Sequence, residues 1–143
     1  MKGRPVSPAV SGIAHTGITV TDLHRSLLFW RDALGFTEEF HDHLEGKFVE
    51  TVSGVDRAIV DVVMLKSPDG QRIELVQYSS PPERDEVRPR PCDVGSLHVA
   101  LFVDDIDAVC ESVAALDWAP ANPPQTVPEG PLAGTRVAYL FGP

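Results

Sequence analysis

One stretch of this chain occurs twice. Ala14-His15-Thr16-Gly17-Ile18-Thr19-Val20-Thr21-Asp22-Leu23 aligns with Leu97-His98-Val99-Ala100-Leu101-Phe102-Val103-Asp104-Asp105-Ile106 at an offset of 83 residues. In that register His15 falls on His98, Val20 on Val103, Asp22 on Asp105 and Leu23 on Ile106. An amphipathic helical pattern follows each copy. Such a repeat constrains the fold strongly, because each copy encodes one supersecondary unit that must bury its apolar face against a neighbour.

The first helical pattern spans about Asp22 to Leu34, with Leu23, Leu27, Trp30 and Leu34 on one stripe. Thr21 or Asp22 can cap its start and Gly35 can close its end. The second spans about Asp105 to Leu116, with Ile106, Val109, Val113 and Leu116 on the stripe and Asp104 or Asp105 as cap. A short strand rich in β-branched and apolar residues precedes each helix. Strand patterns then follow at Phe36–Leu44, Ala58–Leu65 and Arg72–Tyr78, the last two joined by the turn Pro68-Asp69-Gly70. Residues 13–78 therefore predict β-α-β-β-β. The second copy predicts a strand at Ser96–Val103, the helix, a Pro-rich stretch from Pro120 to Pro131, and a strand at Thr135–Phe141. Leu65-Lys66-Ser67-Pro68 matches Leu140-Phe141-Gly142-Pro143, and this register places the counterpart of Glu74 at position 149. The second unit is thus expected without its last strand. The expected organisation is a flexible arm at 1–11, a first module at 12–78, an exposed linker at 79–95 holding four Pro, and an incomplete second module at 96–143. The fold class is α+β.

A formal charge of −9 argues against nucleic acid and anionic membranes as partners, since both are bound through Lys and Arg. No apolar run is long enough to span a bilayer, and the N-terminus does not read as a signal peptide. Cys92 and Cys110 form neither a disulfide framework nor a CxxC site. They read as free thiols of a reducing compartment, which points to a cytoplasmic protein. GxGxxG, GxxxxGK[ST] and GxSxG motifs are absent, so nucleotide-binding loops and hydrolase elbows have no support.

The sharpest constellation is His15, Glu74 and His98, each an ionisable residue in a mostly apolar strand segment. A strand places alternate side chains on one face, so His15 shares a face with Gly17 and Thr19, and small neighbours leave room beside the ring. A lone strand His is ordinarily a hydrogen-bonded structural residue. Two repeat-equivalent His and a mid-strand Glu shift the reading to a divalent cation, one of Zn, Fe, Ni, Co or Mn, with positions open for water or substrate. Asp61 lies in the apolar run Ile59-Val60-Asp61-Val62-Val63, where a carboxylate is costly unless paired or functional. It is the candidate general base, with Glu50, expected in a loop, as its competitor. His41 and His43 share a strand face but read as a solvated edge rather than a second metal site. Gln77 and Tyr78 are candidate cavity residues. Arg84, Arg88 and Arg90 of the linker read as solvated, with an anionic substrate group as the alternative.

These motifs resemble the vicinal oxygen chelate superfamily, which includes glyoxalase I, methylmalonyl-CoA epimerase, extradiol dioxygenases and antibiotic-resistance proteins. The resemblance rests on His15 to Val20, the helix end Phe29-Trp30-Arg31-Asp32-Ala33-Leu34-Gly35-Phe36, Pro68-Asp69-Gly70 with Ile73-Glu74-Leu75, and His98-Val99-Ala100 with Val103-Asp104-Asp105-Ile106-Asp107. It covers roughly residues 12–143. It implies paired βαβββ modules forming a half-open barrel around one divalent ion. It implies His15, Glu74 and His98 as ligands, a fourth ligand falling beyond Pro143, and Asp61 at the position of a carboxylate base. The expected function is a metal-dependent isomerase, epimerase or lyase that abstracts a proton beside the carbonyl of a small carbonyl compound or thioester. A non-catalytic small-molecule-binding protein is the alternative and an extradiol-type dioxygenase the third. An incomplete module leaves a sheet edge open, which predicts a homodimer.

Overall fold

A computed structural model describes residues 9–143, and most of the arm expected at 1–11 lies outside the described residues. Four strands form one sheet: β1 (Thr16–Thr19), β2 (Thr37–Glu45), β3 (Ile59–Lys66) and β4 (Arg72–Ser80). Their order is β1-β4-β3-β2, with β1 parallel to β4 and the other pairs antiparallel. The three longer strands lie within two residues of their expected bounds. The sequence of β4 does not alternate cleanly, since Val76 shares a face with Glu74. The structure resolves this, since both faces of the sheet are packed. Val63, Leu65, Ile73 and Leu75 pack toward the first helix with Phe29 and Trp30. Val60 and Val62, with Val76 and Tyr78, pack on the other face with Val49.

The single α-helix expected over 22–34 is two segments: α1 (Leu23–Leu27) continues as a π-helix over Leu28–Ala33. The wider turn shows in the bond from Leu34 N–H to Phe29 C=O at 3.0 Å. It shifts the buried stripe, so adjacent Phe29 and Trp30 are both buried. Phe29, Trp30, Phe36 and Trp118 meet edge to face, with centroids 5.1–5.3 Å apart. A helix not expected, α2 (Lys47–Ser53), crosses the other face, so Glu50 stands on a helix and not in a loop.

The second copy follows the first in its helix but not in its strands. Asp22 caps α1 by accepting from Arg25 N–H at 3.0 Å. Asp105 caps α3 (Ile106–Ala114) by accepting from the repeat-equivalent Ala108 N–H, also at 3.0 Å. Val113 of α3 is buried in the first core beside Phe29. The segment expected as a strand at Ser96–Val103 forms none, and Leu97 and Phe102 are exposed. β1 takes its ladder from β4, whereas among the described residues no strand lies beside the 96–103 segment. The strand expected at Thr135–Phe141 shrinks to β6 (Arg136–Val137), paired with β5 (Gln125–Thr126). Replacing either capping aspartate by alanine removes a partner for a helix N–H, so Asp22→Ala and Asp105→Ala should each lower stability by about 1 kcal/mol in urea unfolding.

Candidate functional site

Parallel pairing of β1 with β4 sets the site. The register Gly17↔Glu74 puts His15, two residues before Gly17, on the face of Glu74. His15 Nε2 stands 3.6 Å from Glu74 Oε2. Gly17 lies directly opposite Glu74, and a Cβ there would touch Glu74 Oε1 at 3.7 Å, an ordinary van der Waals contact. Donors to one divalent ion lie about 2.0–2.2 Å from it. Two atoms 3.6 Å apart can therefore share an ion between them, and the imidazole–carboxylate set suits a borderline divalent cation.

The third expected ligand is not with them. His98 lies in the unpaired 96–103 segment, where its exposed ring meets Tyr139 edge-on at 5.4 Å between centroids. Among the described residues no group of three His, Cys, Asp or Glu side chains gathers closely enough to hold an ion.

Asp61 is also displaced from its expected role. Strand alternation puts it opposite Gln77, on the face away from Glu74. There its Oδ1 lies 3.0 Å from His43 Nδ1 and 3.8 Å from His41 Nε2. The cost of a carboxylate in an apolar run is thus met by cross-strand imidazoles rather than by a substrate. Asp61 and, behind it, Glu45 raise the His43 pKa above its ordinary 6.5. The charged ring favours the folded state, so this contribution is full below pH 6.5 and fades as pH rises through the raised value. NMR titration should find His43 above 6.5, and Asp61→Asn should lower it.

Gln77, a candidate cavity residue, faces the helices, where its Oε1 accepts from Leu23 N–H at 2.6 Å. Tyr78 does line a cavity. A half-open cleft of about 250 Å³ lies on the Glu74 face, bounded by Leu44, Val60, Val62, Val76, Tyr78 and Glu74, and by Phe48, Val49 and Val52 of α2. The sequence reading missed the α2 residues. Their signal was a seven-residue segment between Gly46 and Gly54, at φ 91° and 70°, with Phe48 and Val52 spaced i, i+4. A second depression of about 320 Å³ between the π-helix and α3 has Asp32 as its ionisable group, which is engaged by Arg31 at 2.9 Å. Of the two depressions, the Glu74 cleft is the one that adjoins the His15–Glu74 pair. The linker arginines are held locally: Arg84 on Pro81 C=O, Arg88 on Glu86, and Arg90 on Asp93 at 2.8 Å. Glu50 accepts from Arg57 N–H at 2.9 Å. Cys92 and Cys110 are free. Among the described residues no helix is long and apolar enough to cross a membrane.

Comparison with known proteins places this geometry in context. The profile of the glyoxalase/bleomycin resistance protein/dioxygenase superfamily matches residues 14–139. A 2-epi-5-epi-valiolone epimerase from an Actinomyces species is 30% identical over 147 aligned positions, covering 100% of this chain and 79% of that protein. The uncharacterized protein YaeR of Escherichia coli K12 is 36% identical over 97 positions, covering 67% of this chain and 64% of that protein. A glyoxalase family protein from Bacillus cereus superposes with a TM-score of 0.76 at 22% identity, covering 96% of this chain and 90% of the other. The fosfomycin resistance protein FosX of Listeria monocytogenes, solved with Mn(II) and sulfate, superposes with a TM-score of 0.58 at 16% identity, covering 94% and 85%. These structures share the α+β fold with its curled sheet.

Proposed function

Because this chain belongs to the glyoxalase/bleomycin resistance protein/dioxygenase superfamily, we propose that it is a metal-dependent isomerase, epimerase or lyase acting by proton abstraction beside a carbonyl. The observation that carries this reading is the His15–Glu74 pair at 3.6 Å beside an apolar cleft. His15 and Glu74 would hold a divalent ion, with His98 joining once its segment is brought to the site. Such an ion, when bound, stabilises negative charge developing on a carbonyl oxygen.

The rest is done by the chain's own groups. Val60, Val62 and Val76 exclude water from one side of the cleft. Glu74 is the carboxylate of the lining, and its Oε1, on the Gly17 side, would accept the proton while Oε2 faces His15. Asp61 is not assigned this role, because it lies on the other face. Return of the proton to the opposite side of the same carbon gives epimerisation, and return to a neighbouring carbon gives isomerisation. The Actinomyces relative is named as an epimerase, which favours the first outcome. A second reading, a binding protein without catalysis, is favoured by the separation of His98 from the pair.

The test joins elemental analysis of the purified protein with NMR detection of deuterium uptake beside the carbonyl of a panel of 2-ketones and acyl thioesters. One ion per chain and uptake that depends on it are expected, with both lost in His15→Ala. An ion without uptake across the panel would leave the binding protein. Neither ion nor uptake would overturn both the site and the reaction.

A further inference from the structure

We propose that the substrate of the Glu74 cleft is a carbonyl compound with an apolar alkyl or aryl body, and that α2 is the wall that recognises it. This rests on the function proposed above and names the substrate class of that same site. Leu44, Val49, Val60, Val62 and Val76 form a continuous apolar surface running away from Glu74. Of the polar lining groups, Ser53 is already committed, its Oγ donating to Val49 C=O at 2.6 Å and accepting from Val55 N–H at 3.1 Å. Tyr78 and Glu74 are the other polar side chains of the lining. A polyhydroxylated compound would bury several hydroxyls here against carbon, and each would lose water without gaining a partner. An apolar group gains by the same transfer. The volume, about 250 Å³, exceeds the roughly 150 Å³ cavity that accommodates benzene elsewhere.

α2 adds a second observation. Phe48 and Val52 are 70% and 71% exposed, although they stand one helical turn apart at the rim of the cleft. Exposed apolar side chains at this spacing, continuous with the buried Val49, extend the apolar wall beyond the part now covered. A ligand whose polar end lies at Glu74 would bring its apolar end under them.

The test measures binding on the full chain without added metal, so it is independent of turnover. ¹⁵N-resolved NMR titrations use 2-butanone, 2-pentanone, 2-hexanone and dihydroxyacetone. Affinity should rise about fourfold per added methylene, with shifts at Val60, Val62 and Val76. Phe48→Ser and Val52→Ser, whose exposed positions leave the core intact, should flatten this dependence. Dihydroxyacetone binding as tightly as 2-hexanone, or affinity unchanged along the series, would overturn the proposal. The two readings fail separately. Chain-length dependence without deuterium uptake sustains the apolar cleft and removes the reaction, whereas uptake by dihydroxyacetone with no chain-length dependence does the reverse.

Discussion

Glu74→Gln is expected to weaken divalent-ion binding by at least about a hundredfold and to abolish deuterium uptake. Outer partners that merely orient a metal ligand cost about 10–100-fold when removed, so loss of a direct anionic ligand should reach or exceed that range. The amide keeps the shape of the side chain but loses its charge, and its nitrogen cannot accept a proton. Folding should be little affected. The Glu74 side chain is 25% exposed, and its backbone pairing with Gly17 and Met64 is unchanged by the substitution. Calorimetric titration with Mn(II) or Zn(II), with a urea unfolding curve alongside, separates the two effects. Asp61→Asn is the control: its side chain lies on the opposite face with His43, so ion affinity should stay at the wild-type value. Wild-type affinity in Glu74→Gln would place the ion elsewhere and remove the basis of the proposed reaction.

Leu75→Ala is expected to cost about 3 kcal/mol of folding stability. Leu75 is 0% exposed and lies between Ile18 of β1 and Val63 of β3 in the centre of the sheet. Truncation forfeits the transfer energy of the removed carbons and leaves a cavity that two hydrogen-bonded neighbours cannot close. The loss is a large part of the 5–15 kcal/mol typical of a domain. The midpoint of urea unfolding should fall with the slope unchanged. The neighbouring Val76→Ala, on the half-buried cleft face, should cost clearly less. Equal costs at 75 and 76 would mean that the core does not lie on the helix side of β4.

Local pattern carried a large part of the architecture. Runs of β-branched and apolar residues on either side of the Pro68-Asp69-Gly70 turn located β3 and β4 to within two residues, because hairpin strands are specified by their own side chains and turn. The repeat located two capping aspartates 83 residues apart, since a cap depends only on the next three residues. The repeat also put His15 on a candidate strand, and the pattern of 72–78 did the same for Glu74. Their meeting was decided by the parallel register of β1 on β4, a long-range pairing that no local window contains.

The misplacements share this cause. Asp61 stands in an apolar run whichever way it faces, and only the register with Gln77 and His43 sets it on the face of the first helix, away from Glu74. The sequence of 96–103 resembles that of β1 as far as side chains go, but a strand exists only where another strand completes its hydrogen bonds. Residue types, periodicity and repetition therefore determined the elements and the chemistry available to this protein. Only the tertiary structure decided which of those groups share a face, because strand register is a property of two distant segments and a shift by one residue reverses every side chain.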